Sequence, residues 1–215
     1  MKRIGCIGEC MLELSGADYD RMQLSYGGDT LNTATYLARL GVNVDYVTAL
    51  GDDAYSDWML AQWRAEGIGT EFVVRAKDRL PGFYAIRTDG EGERQFFYWR
   101  DRAPARDLPD CPESEVIFER LASYDWIYLT GVTLSLYGPG AQEKLFALLD
   151  RVRSNGGKVV FDSNYRPRGW KDAANASVIF KQIIARTDLA MPTLDDDMQV
   201  FGDQDAAVCA DRLHG

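Results

Sequence analysis

Two adjacent glycines, Gly27 and Gly28, stand immediately before the first turn of a predicted helix. Glycine allows a backbone to approach a ligand closely, and the polar residues Asp29 and Asn32 follow on that turn. This order predicts that polar ligand groups meet the backbone, Asp29 and Asn32. The same spacing is also typical of a tight turn that only starts a helix, and both interpretations stay open at this point.

A second polar group follows a buried strand predicted over residues 158–164, "KVVFDSN". Asp162, Asn164 and Arg166 alternate with other residues, so an extended backbone places all three on one side. Ligands of parallel α/β sheets bind at the carboxyl ends of the strands, which favours a ligand site here. The alternative is a polar loop in which Asp162 caps the backbone and Arg166 is solvated.

A third group lies in the segment "FFYWRDR" of a predicted β-hairpin. Alternation puts Tyr98 and Arg100 on one face of the strand, and Tyr84 of the partner strand can join them. Arginine beside tyrosine suits a ligand that carries a carboxylate and hydroxyl groups, by bidentate pairing and hydrogen bonds. An edge hairpin with a solvated arginine is the alternative.

The acidic run of residues 195–197 begins another predicted helix in "PTLDDDMQVFG". Negative charge is favourable at a helix N-terminus, and that alone explains the run. The second interpretation is an acidic group that organises Mg²⁺ through water beside a nucleotide.

Composition excludes several other functions. The only histidine is His214, which removes histidine-assisted nucleophiles and histidine-based zinc sites. The net charge of -9 argues against a nucleic-acid surface, and no apolar run is long enough to span a membrane. The spacing of the four cysteines is not that of a redox motif, so we expect structural thiols in a reducing cytoplasm.

The elements that position these groups alternate regularly. The pattern predicts strands at residues 4–7, 42–50, 126–132, 158–164 and 189–193, and helices at 56–66, 112–124, 139–157, 177–188 and 205–213, with a further helix between the first two strands. Such alternation predicts an α/β fold with a doubly wound, mostly parallel sheet. The strand-like residues 70–102 interrupt it and predict a small β lid, together with residues 12–27.

The first strand lacks the G-x-G-x-x-G pattern and the chain lacks a P-loop, so neither common nucleotide motif is present. Instead, the chain resembles the ribokinase-like (PfkB) carbohydrate kinases along its whole length. The segments that carry the resemblance are "IGECMLEL", "GGDTLNTATYLARLG", "VTALGDD", "RLPGFYAI", "GERQFFYWR", "FDSNYRPRGW" and "TLDDD". "PGFY", "FYWR" and "DSNYRPR" resemble the subgroup that phosphorylates 2-keto-3-deoxygluconate.

The resemblance implies ATP-dependent phosphorylation of a sugar acid, 2-keto-3-deoxygluconate, at its C6 hydroxyl, with Mg²⁺. It implies that the sugar lies against the glycines and is held by a set of residues from both sheets. These substrate-binding residues are Gly28, Asp29, Asn32, Tyr84, Tyr98, Arg100 and Arg166. It further implies that Asn164 and Thr193 lie at ATP and that Asp196 lies near Mg²⁺.

Two departures from the family qualify these expectations. The family commonly has Asn-x-x-Glu where this chain has Thr193-Leu-Asp-Asp196, so Asp196 is shorter than the usual carboxylate. The Gly-Ala-Gly-Asp-type segment, which supplies the catalytic base and an anion-binding helix, is absent from residues 1–215. We therefore expect a single incomplete domain, with no catalytic residue of its own and little turnover.

Two other functions stay open. A neutral-sugar kinase of the fructokinase kind would keep the fold and change the substrate, and a non-catalytic protein that binds sugar acids would keep only the binding site. The aromatic residues Phe96, Phe97 and Trp99 of the hairpin need a cover, and related kinases pair through their lids. We therefore expect a homodimer formed through the β lid.

Overall fold

The computed structural model describes residues 2–214. Two sheets form the framework of the fold, and all the pairings of the larger one are parallel. Its strands are β1 (Arg3–Ile7), β4 (Asn43–Gly51), β5 (Val73–Ala76), β8 (Trp126–Thr130), β9 (Lys158–Asp162) and β10 (Leu189–Met191). Their order across the sheet is β10-β9-β8-β1-β4-β5, which confirms the predicted doubly wound α/β fold.

The smaller sheet has four strands in the order β3-β2-β6-β7. Its strands are β2 (Met11–Gly16), β3 (Gln23–Gly27), β6 (Gly82–Thr88) and β7 (Arg94–Trp99). β2 pairs in parallel with β6, and the two outer pairings are antiparallel. We call this sheet the lid.

Residues 2–214 contain eight α-helices, of which the last two follow the final strand. They are α1 (Asp29–Arg39), α2 (Ala54–Ala65), α3 (Ser114–Leu121), α4 (Gly131–Leu136), α5 (Pro139–Ser154), α6 (Ala173–Ile184), α7 (Leu194–Phe201) and α8 (Ala206–His214). Helix α1 ends before Gly41, whose φ of 77° suits a residue without a side chain. The side chain of Asp53 caps α2 by accepting hydrogen bonds from the backbone of Tyr55 and Ser56.

The large sheet lies between two hydrophobic cores because successive strand residues point to opposite faces. Helices α3, α5 and α6 cover one face, and α1 and α2 cover the other. In β1, β4, β8 and β9 the odd-numbered residues enter the first core, among them Ile7, Val47, Ile127, Leu129 and Val159. The even-numbered residues of these strands enter the second core, among them Cys6, Val44, Tyr46 and Tyr128.

Two parts of the chain differ from the sequence prediction. Residues 73–76 form an edge strand of the large sheet, paired with β4, and do not belong to the lid as predicted. The strand predicted over residues 126–132 ends at Thr130, where the threonine side chain caps helix α4. A short helix therefore follows the strand at once, and the apolar residues after Thr130 are buried on that helix.

The core around Phe180 offers a test of this packing. Phe180 is fully buried and makes edge contacts with Phe161 and Trp170, at ring-centroid distances of 5.2 and 5.5 Å. We expect Phe180→Ala to lower the free energy of unfolding by about 3–5 kcal/mol because it leaves a cavity. Val178→Ala is the control in the same helix: its side chain is exposed, so the change should stay within about 0.5 kcal/mol. Urea unfolding measures both, and similar values for the two variants would contradict this packing.

Candidate functional site

The polar residues of the site collect where the strand order of the large sheet reverses. The chain runs from β1 to β4 on one side, and β8 pairs with β1 on the other. In open α/β sheets this reversal opens a crevice at the carboxyl ends of the strands. Glu9 follows β1 at this edge, Thr130 ends β8, and Asn164 follows β9.

Asp29, the first residue of helix α1, joins three segments at this edge. Its Oδ2 accepts hydrogen bonds from the Thr130 hydroxyl at 2.7 Å and from the Asn164 side-chain amide at 2.6 Å. Its Oδ1 accepts one from the backbone N–H of Thr30 at 2.8 Å. The structure therefore brings Asp29 and Asn164 together, although 135 residues separate them in sequence.

The loop after β9 does not keep the extended alternation predicted for Asp162, Asn164 and Arg166. The strand ends at Asp162, and Asn164 has a φ of 27°, in the left-handed region that asparagine tolerates better than most residues. The backbone N–H of Asn164 donates to the Asp162 side chain at 3.1 Å, which fixes this turn. Arg166 is exposed and donates to the Tyr165 carbonyl at 2.9 Å.

Asp162 itself lies beside the site at the end of β9. It accepts a hydrogen bond from the Tyr128 hydroxyl at 3.1 Å. Burial raises the pKa of the Asp162 carboxyl above its ordinary value, although the hydrogen bonds from Tyr128 and Asn164 oppose this shift.

The two glycines lie against protein atoms on the side where a side chain would stand. That a sugar lies against their backbone stays a prediction. A Cβ added at Gly28 would overlap the Glu9 carbonyl oxygen, and one added at Gly27 would overlap the Tyr84 hydroxyl. Neither glycine has a positive φ, so close packing and not backbone conformation requires them. Gly28 allows α1 to start directly beneath the segment that leads from the large sheet to the lid.

The lid carries two tyrosines that face each other across β6 and β7. Tyr84 and Tyr98 are register partners, and their ring centroids lie 5.9 Å apart. The Tyr84 hydroxyl donates to the carboxylate of Glu13, which also accepts from Ser25 at 3.2 Å. Burial and the Glu13 carboxylate raise the pKa of Tyr84 well above its ordinary value, so the phenol stays protonated.

Arg100 follows β7 and forms an ion pair with Glu9, a residue to which the sequence assigned no role. The Glu9 side chain is 1% exposed and that of Arg100 is 22% exposed. Within residues 2–214, neither Glu9 oxygen accepts a hydrogen bond from a group other than Arg100. The position of Glu9, a carboxylate residue just after the central strand β1, was the signal in the sequence that could have indicated a role at this edge.

Thr193 and Asp196 hold the start of helix α7. The Thr193 hydroxyl accepts a hydrogen bond from the Asp196 backbone N–H at 3.3 Å, which makes it a helix cap. The buried Asp196 carboxylate accepts from the Ser163 hydroxyl at 2.9 Å and the Tyr165 backbone N–H at 3.1 Å, both through Oδ2. Asn32 is exposed on the first turn of α1. The roles of these residues towards a ligand stay predictions.

Another cluster of ligand-type side chains lies between α7 and α8. Oxygen and sulfur atoms of Asp197, Asp203 and Cys209 lie within 4.8 Å of one another. Arg212 already compensates their charge, with ion pairs of 2.6 Å to Asp197 and 3.0 Å to Asp203. The arrangement is that of an internal ion pair that joins the two helices.

Within the part of the chain that the structure describes, no helix combines the length and the apolar character that a membrane crossing requires.

Cys6, Cys10, Cys111 and Cys209 are free thiols. Burial raises the pKa of the Cys209 thiol to about 11, so this thiol is protonated and unreactive at neutral pH.

A doubly wound sheet, a four-stranded lid and polar residues at the strand reversal together have the architecture of the sugar kinases of ribokinase type. The solved structure of the 2-dehydro-3-deoxygluconokinase of Thermotoga maritima has this fold: it superposes with a TM-score of 0.84 at 23% identity, over 98% of this chain and 67% of that one. The chain belongs to the pfkB family of carbohydrate kinases, which matches residues 1–215.

Two curated relatives show where the chain lies within the family. It is 45% identical to the 2-dehydro-3-deoxygluconokinase of Escherichia coli K12 over 219 residues, which cover 99% of this chain and 70% of that protein. It is 26% identical to the fructokinase of Salmonella typhimurium over 172 residues, which cover 80% of this chain and 54% of that protein.

The contact between Gly28 and Glu9 predicts a specific sensitivity. We expect Gly28→Ala to lower the free energy of unfolding by about 1–3 kcal/mol, because the new methyl group overlaps a backbone oxygen. Gly140→Ala is the matched control, since a Cβ there meets no atom within 4 Å and alanine favours the helix by up to about 1 kcal/mol. Thermal and urea unfolding compare the two, and an equally stable Gly28→Ala variant would contradict the contact.

Proposed function

We propose that the chain binds 2-keto-3-deoxygluconate, also called 2-dehydro-3-deoxygluconate, for transfer of the ATP γ-phosphoryl group to its C6 hydroxyl. The observation that carries this proposal is the difference between 45% identity to a 2-dehydro-3-deoxygluconokinase and 26% identity to a fructokinase. Both relatives belong to one fold, so the difference bears on the substrate.

We assign the sugar chain of the ligand to the crevice between the lid and the start of α1. Gly28, Asp29 and Asn32 form its floor, and Tyr84 and Tyr98 form its cover. The 5.9 Å separation of the two tyrosine rings supports a continuous aromatic wall on the lid. A cover of this kind excludes water, which otherwise competes as the phosphoryl acceptor.

We assign the carboxylate of the ligand to Arg100 and Arg166. Arg166 supports this assignment because its side chain is exposed at the carboxyl edge of the sheet. Guanidinium groups bind carboxylates by charge-assisted hydrogen bonds, and a neutral sugar does not require them. Arg100 contributes a charge that Glu9 already compensates in part.

We assign ATP to the neighbourhood of Asn164 and Thr193, and Mg²⁺ to that of Asp196. The hydrogen bonds to Asp196 from Ser163 and Tyr165 use Oδ2 alone, which leaves this oxygen-rich turn compatible with a metal held through water. Bound Mg²⁺ neutralises charge on the transferred phosphoryl group. The hydrogen bond from the Asn164 amide to Asp29, which we assign to the sugar, supports a position for Asn164 between the two ligands.

One observation favours a neutral sugar, the fructokinase alternative. The pairing of Arg100 with a buried carboxylate leaves the chain with less free positive charge than the two arginines imply. Measuring which sugar binds distinguishes a sugar-acid kinase from a fructokinase.

Isothermal titration calorimetry with 2-keto-3-deoxygluconate, fructose and ribose tests the proposal. We expect tight binding of the sugar acid and weak binding of both neutral sugars, since only the acid has a carboxylate that can pair with Arg100 and Arg166. Equal affinity for the three ligands would exclude an acid-specific site and favour the fructokinase alternative. No binding of any sugar would contradict the proposal altogether.

Arg166→Met tests the assignment of the carboxylate. Loss of a hydrogen bond to a charged group is worth about 1.5–3 kcal/mol, so the affinity for the acid should fall about 10- to 100-fold. Arg168→Met is the matched control, because Arg168 is also exposed and lies only two residues away. If both variants bind the acid as the unmodified protein does, Arg166 does not contact it.

We propose that the lid pairs with the lid of a second copy of the chain. β7 is an edge strand, and Phe97 and Trp99 on the face opposite Tyr98 are 46% and 61% exposed. Exposed aromatic residues on an open edge are a liability unless a partner covers them. A homodimer provides such a cover without a second protein.

Light scattering after size-exclusion chromatography tests this pairing. We expect a dimer, and we expect Phe97→Ser to shift it towards monomer because the variant removes apolar surface from the contact. Tyr36→Ser is the control, since Tyr36 is an exposed aromatic residue on helix α1, outside the lid. A monomeric protein, or equal dissociation of the two variants, would argue against the lid contact.

We also propose a cytoplasmic location. It is supported by the four free thiols, three of which are buried and none of which is arranged for disulfide formation within residues 2–214.

A further inference from the structure

Glu9 and Arg100 form a charged pair at the point where the lid meets the large sheet. Arg100 follows strand β7 of the lid, and Glu9 lies in the short connection between β1 and β2. Glu9 is the buried member of the pair and Arg100 the partly exposed one. A ligand in the crevice therefore reaches the arginine and not the carboxylate.

Two glycines on different elements form the slot that holds Glu9. A Cβ at Gly82 on β6 would lie 2.9 Å from Glu9 Oε1, and a Cβ at Gly28 would overlap the Glu9 carbonyl oxygen. Neither side-chain oxygen has a hydrogen-bond partner other than Arg100 within residues 2–214. A buried carboxylate with this single partner depends on nearby positive charge to remain ionised.

The groups that face Glu9 come from every surrounding segment and carry charge of both signs. Burial raises the pKa of the Glu9 carboxyl to about 7, while Arg100 and Arg106 act in the opposite direction. The titratable and charged groups around it are Arg100 and Arg106 beyond the lid, Asp29 on α1, Cys10 next in the chain and Tyr137 after α4.

A sugar acid adds a second carboxylate to this arrangement. On the proposed function, on which this inference rests, the acid group of the ligand binds Arg100. Glu9 and the ligand then share one guanidinium, and like charges that share a site disfavour the ionised form of one of them. The ligand carboxylate stays ionised above about pH 5, as ordinary carboxyl groups do, so Glu9 is the group that changes.

We propose that Glu9 takes up one proton from solvent when the sugar acid binds. Arg100 then pairs with the carboxylate of the ligand and no longer with an ionised Glu9. The carboxylate of Glu9 becomes a neutral carboxyl group, and no bond of the ligand is broken. Glu9 thereby selects for an acidic ligand: with a neutral sugar, Arg100 keeps its internal partner. This explains how Arg100 can pair with Glu9 in the free protein and still bind the carboxylate of the substrate.

The direction of the pH dependence follows from linkage. Because the bound complex holds the Glu9 proton more strongly than the free protein, the affinity for the acid falls as pH rises through the Glu9 pKa near 7. If binding raises the Glu9 pKa by about one, the affinity drops about sixfold between pH 6.5 and 8.5. At pH 7.5 the same rise corresponds to an uptake of about half a proton per ligand bound.

Calorimetric titration of the 215-residue chain with 2-keto-3-deoxygluconate measures this uptake directly. Titrations at pH 7.5 in phosphate and in Tris, which differ in ionisation enthalpy, give the number of protons from the difference in heat. We expect about half a proton per ligand and an affinity that falls from pH 6.5 to 8.5. No uptake and a constant affinity, with tight binding of the acid, would overturn the inference while the proposed function stands.

Variants assign the proton to Glu9. Glu9→Gln mimics the protonated form, so it should bind the acid about threefold more tightly at pH 7.5, without proton uptake and independently of pH. Glu71→Gln is the matched control, since it removes the charge of an exposed carboxylate that also pairs with an arginine, Arg120. It should keep the uptake of the unmodified protein.

Persistent uptake in Glu9→Gln would place the proton elsewhere and overturn the assignment, as would weaker binding of the acid by a folded Glu9→Gln variant. If Glu9→Gln does not fold, the pH profile and proton count of the unmodified protein still decide between uptake and none. If the unmodified protein binds no sugar acid at all, both the proposed function and this inference are wrong.

Discussion

The hydrogen bonds of Asp29 are the constraint on which the arrangement of the site depends. One carboxylate oxygen joins the end of β8, through Thr130, to the loop after β9, through Asn164. The other is bound by the backbone at the start of α1. Because three segments distant in sequence meet at one carboxylate, the crevice has a defined floor before any ligand arrives. The left-handed backbone of Asn164, fixed by its N–H bond to Asp162, presents the side-chain amide to this carboxylate.

The lid depends on close approach more than on its own core. Gly27 admits the Tyr84 hydroxyl and Gly28 admits the Glu9 carbonyl, so the start of α1 lies directly against the lid and its connection to β1. The strand β7 contributes mostly exposed side chains. The lid packs on the second core through Leu12, Tyr26 and Phe83. Its junction with the large sheet is where Glu9, Arg100 and Gly82 lie.

The sequence predicted the framework well because hydrophobic periodicity is a local property. The alternation of strands and helices, the end of α1 at Gly41 and the lid hairpin could all be read from short segments. Residues 73–76 were read as strand-like but were assigned to the lid, because membership of the large sheet depends on pairing with β4 and not on composition. The loop after β9 was misjudged for a related reason: the positive φ of Asn164 ends the alternation that placed Arg166 beside Asp162.

Charge was the property hardest to predict. Arg100 and Arg166 look equivalent in the sequence, yet the first is paired with a buried carboxylate and the second is exposed. Counting arginines near a presumed ligand therefore overestimates the positive charge available to it. The charge available to a ligand depends on the net charge of all groups that surround the guanidinium. Glu9 lies beside Arg100 only because the tertiary fold brings them together. On the proposed function, a buried carboxylate beside Arg100 makes the selectivity for an acid a matter of protonation as well as of geometry.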